Sequence, residues 1–387
     1  MATTSSLERL RDTNRRSITT LLAAEGPMSR ADLVRGTGLS RTTVSSLVGD
    51  LITSGHVVET ADRGRPHKGG SGRPPLLVAL STPAGGVAGV DIGHGHVRVA
   101  VADRVGTVLA EETTAVDVDE DGAVALDRAA RMVRETLRTA GLGLADLHAV
   151  GMCVPAPLDR RSASIQTGIL PGWRQLSPAE ELHRRLGVAV FADNDANLGA
   201  LAELGQGAAR GTSDLVYVKV ASGLGAGIVL GGRLHRGASG IAGELGHVQV
   251  DEDGQVCRCG NRGCLETLVS APRLLAVLQP AYDVPLSIGR ILALDGDGDA
   301  GVRRVLSDAG RAIGRALADL CNNLNPELVV VGGSLGASPS LGEGIRASVD
   351  RYAQPDTAAA MRVVSGDLGD RAEVVGAVSL AIARVSV

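Results

Sequence analysis

The sequence predicts an α/β protein built from two related halves behind a small helical head, and three observations carry that prediction. Short β-branched segments bounded by turns follow one another from residue 86 (GVAGVDIG, HVRVAVAD, TVLAEET), and a second series opens with LVYVKVA and GAGIVLGG. In each series a glycine-rich turn follows the first strand, DIGHGH at 91–96 and ASGLGAG at 221–227. Helical stretches are interleaved with these strands, the order expected of a layered α/β fold with an internal repeat.

In chain order, residues 14–24 read as a first helix with Ile18, Leu21 and Leu22 on one face. Ser29 is placed to cap a short second helix, RADLVRG, which Gly36 and Gly38 break. Ser40 caps a third, RTTVSSLVGDLITSG, whose apolar positions Val44, Leu47, Val48, Leu51 and Ile52 form one buried stripe. Arg41, Thr42, Ser45 and Ser46 face away from that stripe near the helix start, where a recognition helix meets base edges. Two strands follow, HVVET and PLLVAL, joined by ADRGRPHKGGSGRP. In that loop Asp62 alone opposes Arg63, Arg65, Lys68 and Arg73. Arg65 and Arg73 each stand between Gly and Pro, extended enough to reach a narrow minor groove. The block resembles a winged helix-turn-helix DNA-binding domain, with double-stranded DNA as its partner; a packing domain with a solvated basic loop is the alternative. Pro83, Gly85 and Gly86 mark a boundary, giving a head of residues 1–82 and a body of 83–387. In the body a helix is expected at roughly 122–140, a strand at LHAVGMCV, and a buried strand running into a glycine turn at NPELVVVGGSLG.

Composition bounds the function. The 387 residues are ample for two or three domains, and no apolar run reaches membrane-spanning length. No apolar signal core is found at the N-terminus, so a cytoplasmic protein with no membrane partner is expected. One Phe, one Trp and three Tyr leave the core to Val, Leu, Ile and Ala, and lysine occurs only at Lys68 and Lys219. Net charge is −4, but residues 1–75 hold eleven Lys and Arg against seven Asp and Glu, a balance of +4 that leaves −8 on the rest. A basic end on an acidic body suits a nucleic-acid module joined to something else.

Residues 243–266 are the most specific stretch. Three of the five cysteines, Cys257, Cys259 and Cys264, are spaced C-x-C-x4-C, with His247 ten residues upstream. Three thiolates and an imidazole make a closed tetrahedral zinc set, and the loop's glycines let the chain wrap round an ion. Reduced cysteines of a cytoplasmic protein favour metal over disulfide. Glu244 and Glu266 bracket the cluster, so a metal there would hold the loop rigid and aim both acids.

These motifs together resemble the ROK family (repressors, open reading frames and sugar kinases), in its transcription-regulator branch. VDIG at 90–93, VPAP at 154–157, LPGW at 170–173, DNDAN at 193–197, GELGH at 243–247, CRCGNRGCLE at 257–266 and VVVGGSLG at 329–336 carry the resemblance over nearly the whole chain. It implies an actin-like, ribonuclease H-like body of two lobes with sugar in the cleft. The first lobe would be about 83–194 plus a closing helix at about 371–384, and the second about 195–370. It also implies that Asn194, Asp195, Glu244, His247 and Glu266 surround the sugar, with Asp195 the base in a kinase. The chemistry agrees, since carboxylates, an amide and an imidazole grip sugar hydroxyls in pairs.

The phosphate loops argue against phosphorylation. Asp91, Gly93, Ser222, Gly223 and Gly225 remain, but Gly95 stands where the family's kinases carry a threonine hydroxyl, and Ala221 replaces a glycine. His94 and His96 beside Gly95 read as a solvated turn. Before LPGW, Gly168-Ile169 replaces the family's Pro-Asn, exchanging an amide for an apolar side chain. The expectation is a sugar-responsive DNA-binding regulator, a repressor, with structural zinc, no efficient use of ATP and Mg2+, and a dimeric or tetrameric assembly. The alternative is an ATP-dependent sugar kinase carrying a DNA-binding head.

Overall fold

The computed structural model describes residues 6–53, 57–63, 76–81, 85–159, 162–165, 168–174 and 176–385. They fall into two compact units, one of the residues before Gly86 with the turn Asp103–Thr107, and one of Gly86–Ala102 and the residues from Val108 onward.

The first unit packs helices α1 (Ser6–Glu25), α2 (Arg30–Thr37) and α3 (Arg41–Thr53) with a sheet ordered β1 (Met28–Ser29), β3 (Leu76–Leu80), β2 (Val57–Arg63). Its core is the apolar stripe of α3 (Val44, Leu47, Val48, Leu51) closed by Ile18, Leu22, Leu33, Val57 and Val78. Ser29 caps α2 in a reciprocal capping box with Asp32. Ser40 Oγ accepts the Thr43 amide at the start of α3. Arg41, Thr42, Ser45 and Ser46 are exposed. Three details differ from the sequence reading. The first helix starts at Ser6, eight residues early, because SLERLRDT is polar and gives no periodic signal. Gly36 lies inside α2; Gly38, left-handed at φ 70°, ends it. The two-residue β1, too short to leave a pattern, pairs with β3 at Met28 and Ser29. Arg63 ends β2, whereas Arg65, Lys68 and Arg73 lie outside the described residues.

The second unit contains two five-stranded sheets. One is ordered β6 (Val108–Ala115), β5 (His96–Asp103), β4 (Gly86–Gly93), β7 (Leu147–Val154), β8 (Ala189–Asn194). It is covered by α4 (Gly122–Thr139) and α5 (Pro178–Leu186). The other is ordered β11 (Arg233–His235), β10 (Leu224–Leu230), β9 (Leu215–Val220), β12 (Leu328–Gly332), β13 (Arg362–Ser365). α6 (Asp195–Gln206) and the closing α13 (Ala372–Val385) pack between them, and α7 (Glu266–Val269), α8 (Ala271–Leu278), α9 (Ile288–Gly296), α10 (Ala300–Leu324), α11 (Pro339–Tyr352) and α12 (Pro355–Ala360) cover the other face of the second sheet. In both sheets the first two hairpin-linked strands give way to parallel strands, β4–β7–β8 and β9–β12–β13, which is the internal repeat in structural form.

α13 lies on β4 and β7 and crosses α6 closely. A Cβ on Gly151 of β7 would stand 1.8 Å from the Ala377 carbonyl oxygen, and one on Gly376 2.0 Å from that of Leu198. These glycines bring the helix pair down onto the sheet, and a layer of Val87, Ala149, Ala200, Tyr217, Val330 and Val374 joins the two halves. The first residue of α6 and the first turn of α13 are thereby delivered to one place, the cleft between the sheets.

Candidate functional site

The cleft is lined by the ends of β4 and β9, the start of α6, the 221–225 and 333–334 turns, and the 244–247 segment. Local sequence explains each approach. Asn194 caps α6, its Oδ1 accepting the Ala196 and Asn197 amides at 2.9 and 3.2 Å. Asp195 is the first helical residue, and its carboxylate points into the cleft. Asp193 accepts Asn197 Nδ2 at 2.9 Å and Arg236 Nε at 2.8 Å, so the DNDAN motif is locked from both sides. Trp173 of LPGW is fully buried, donates from Nε1 to the Val118 carbonyl at 2.6 Å, and sets the preceding Ile169 against the cleft. Gly243, at φ 98°, lets GELGH lie on β10; a Cβ there would meet the Ala226 oxygen at 1.9 Å.

Asn194, Asp195, Glu244, His247 and Glu266 all line this one cavity. Glu266 is buried and accepts the Leu224 amide at 2.9 Å, and its other oxygen faces Arg258 at 3.6 Å. Burial pushes the Glu244 carboxyl up to about 7, and repulsion from Asp195 and Glu266 adds to it. A group titrating there both donates to and accepts from a hydroxyl.

His247, Cys257, Cys259 and Cys264 bring four ligand atoms within 4.8 Å of one another. Cys257 Sγ stands 3.6 Å from His247 Nδ1, and Cys259 Sγ 3.7 Å from Cys264 Sγ. Tetrahedral coordination with bonds of about 2.3 Å to sulfur and about 2.1 Å to nitrogen separates neighbouring donors by roughly 3.6–3.8 Å. The four donors therefore fit a metal ion of that geometry. Nδ1 faces the thiols, and Nε2 faces Glu244 Oε2 at 3.6 Å, so the imidazole links the cluster to the cleft.

Of the phosphate-loop residues, Asp91, Gly93, Ser222, Gly223 and Gly225 line the cavity, while Gly95 is exposed at the turn. The histidines beside it are not a solvated turn. His94 Nδ1 is 2.6 Å from Asp119 Oδ1, and His96 Nε2 is 3.0 Å from Asp91 Oδ2. The turn folds back on its own strand, and the His96 ring occupies the space where a Gly93 Cβ would sit, 2.2 Å from it. The partners of His94 lie about twenty-five residues downstream and across the cleft, at Asp119 and Arg258, which no local pattern reveals.

Sequence reasoning also missed Lys219 and Glu373. Lys219 Nζ donates to Asp195 Oδ2 at 2.7 Å and stands 3.6 Å from Glu373 Oε1. Burial opposes the ammonium, but attraction to Asp195, Glu373 and Asp91 wins and raises its pKa. A lone lysine inside the apolar run LVYVKVA was the available signal. Burial also pushes Glu373 up to about 7, against the pull of Lys219. Between its ordinary 4.5 and that value, Glu373 is protonated in the folded chain and ionised in the unfolded one, so stability falls as pH rises through this window. Glu373→Gln is expected to remove this loss, up to about 3 kcal/mol, as read by urea unfolding at acidic and neutral pH.

The profile of the ROK family matches residues 87–384. The chain belongs to the ROK family. A xylose repressor of Bacillus spizizenii is 30% identical over 362 residues, 92% of this chain and 91% of its own. Among solved structures, a ROK family transcriptional regulator described as a homologue of E. coli MLC has a TM-score of 0.76 at 26% identity and covers 95% of both chains. A ROK glucokinase from Streptomyces griseus, in complex with glucose and AMPPNP, has a TM-score of 0.67 at 28% identity and covers 77% of this chain and 99% of its own. The body thus has the ROK kinase fold, while its likeness to the regulator extends through the head as well. Among the described residues, no helix of this ROK protein is long and apolar enough to cross a membrane.

Proposed function

We propose that this ROK protein is a sugar-responsive, DNA-binding transcriptional repressor of the cytoplasm that holds a sugar in its cleft without efficiently phosphorylating it. The observation that carries this reading is likeness over 92% of the chain to a xylose repressor, itself covered over 91% of its length. The first unit is read as a winged helix-turn-helix, with α3 entering the major groove through Arg41, Thr42 and Ser45, and with Arg63 at the end of β2 and Arg65 and Arg73 beyond it meeting the minor groove. Two copies, as a dimer or within a tetramer, would meet two half-sites.

In the cleft, Asn194, Asp195, Glu244, His247 and Glu266 are read as the sugar's hydrogen-bonding partners. Zinc is the ion assigned to His247, Cys257, Cys259 and Cys264, where it would supply structural rigidity. A sugar that binds one closure of the two lobes better than the other shifts their populations in proportion to that difference, and so alters how the heads meet DNA.

Arg65 and Arg73 together changed to Ala are expected to weaken DNA binding about tenfold and to flatten its salt dependence by roughly two counterions. Anisotropy titrations at several salt concentrations read both quantities. The functional reading itself is tested by a thermal-shift screen of pentoses, hexoses and N-acetylhexosamines, followed by a coupled ATP assay on each hit. It expects a sugar that raises the melting temperature and no sustained ATP turnover. Steady turnover that depends on Asp195 would instead establish a sugar kinase, the reading favoured by the position of Asp195 at the start of α6 in the cleft.

A further inference from the structure

Lys219 is placed where the damaged phosphate loops alone do not account for it. It projects from β9 toward three carboxylates on other elements: Asp91 on β4, Asp195 at the start of α6, and Glu373 in the first turn of α13. All three acids are buried, at 2%, 9% and 3% exposure. Asp91 has both oxygens engaged, Oδ2 with His96 at 3.0 Å and Oδ1 with the Cys153 thiol at 3.0 Å. Asp195 gives one oxygen to Lys219 at 2.7 Å and the other to the Ala196 amide at 2.7 Å. Glu373 Oε1 accepts the Tyr217 hydroxyl at 3.3 Å and faces the ammonium. Three buried carboxylates are the arrangement that draws a divalent cation, yet here their field is already answered from within the chain.

We infer that Lys219 is a resident cation which takes the place of a divalent metal ion at the floor of the cleft and so makes the site selective for sugar over metal–nucleotide. The inference deepens the proposed sugar-binding reading and rests on it. Two consequences follow from the geometry. An arriving divalent ion meets an ammonium held between Asp195 and Glu373 and repels it, and Asp195, with both oxygens engaged, is not open to coordinate until Lys219 leaves. The same contact ties β9 to α6 and α13, so the cation bridges the two halves of the body.

The test uses the full-length, zinc-loaded chain and titrates Mn2+, with the free ion followed by electron paramagnetic resonance. Lys219→Thr is expected to bind Mn2+ at least tenfold more tightly than the unaltered chain, and to gain binding of Mg2+–AMPPNP by calorimetry. A gain of less than tenfold in Mn2+ affinity overturns the inference, as does binding of Mg2+–AMPPNP by the unaltered chain equal to that of the variant. Because Lys219→Thr leaves buried acids without a counter-ion and risks misfolding, the double variant Lys219→Met/Asp195→Asn removes one charge of each sign. With Asp91 and Glu373 still present, it carries the same threshold if circular dichroism finds the single variant unfolded. An unaltered chain that no sugar stabilises would remove the sugar-receptor reading, while the Mn2+ comparison would still decide the role of Lys219 on its own terms.

Discussion

Cys264→Ser is expected to take the metal content from one ion per chain to none and to abolish the sugar response, while leaving most of the protein folded. Cys264 is fully buried, so a serine hydroxyl in its place is a poor, largely protonated ligand with no route to solvent. Structural zinc sites carry roughly 10 kcal/mol or more of apparent binding free energy in small peptides. Here, however, an ion would close only the 247–264 loop, which also holds two isolated bridges, Gln249 with Cys264 and Val256 with Arg262. The large cores of the two halves touch it only at Cys259, which packs against the edge of one of them. The loss therefore falls on His247, Glu244 and Glu266, which the loop presents to the cleft, and only weakly on global unfolding. Elemental analysis and a thermal-shift titration with the responding sugar read the two effects separately. Full metal retention in the variant would remove Cys264 from the ligand set.

Glu244→Ala is expected to weaken sugar binding by roughly a hundredfold, about 3 kcal/mol, the upper range for a hydrogen bond to a charged group in a buried site. Burial raises the Glu244 carboxyl toward neutrality, and Asp195 and Glu266 add to the rise. It has no helix cap or backbone amide to serve, unlike Asn194 at the head of α6 or Glu266 at the Leu224 amide. Its removal should thus cost affinity without costing the fold, and calorimetry with the responding sugar measures it. Affinity within threefold of the unaltered chain would contradict its place in the pocket.

The parts of this site that could be read from sequence share one property: their signal is local. The cysteine spacing, the glycines of GELGH and the stripe of α3 are patterns within about twenty residues, and the structure gathers each of them as a unit. Lys219, Glu373 and the partners of His94 and His96 were hidden because their meaning is a contact. Glu373 meets Lys219 only after α13 has returned across β4 and β7, more than 150 positions along the chain. His94 looked like the tip of a polar turn until Asp119 and Arg258 were brought beside it. Asn194 and Asp195 are both good caps, and only the backbone shows that Asn194 is the residue that caps α6. Polar residues that make no period, as in the first turns of α1, leave the start of a helix invisible.

The most direct measurement is the affinity of the full-length protein for a duplex it has itself selected from a random pool, taken with and without the sugar that stabilises it. A tenfold or greater change in the dissociation constant at saturating sugar, with no ATP present, is the expected result. An affinity that stays the same at every sugar concentration would contradict the claim that the cleft governs the head.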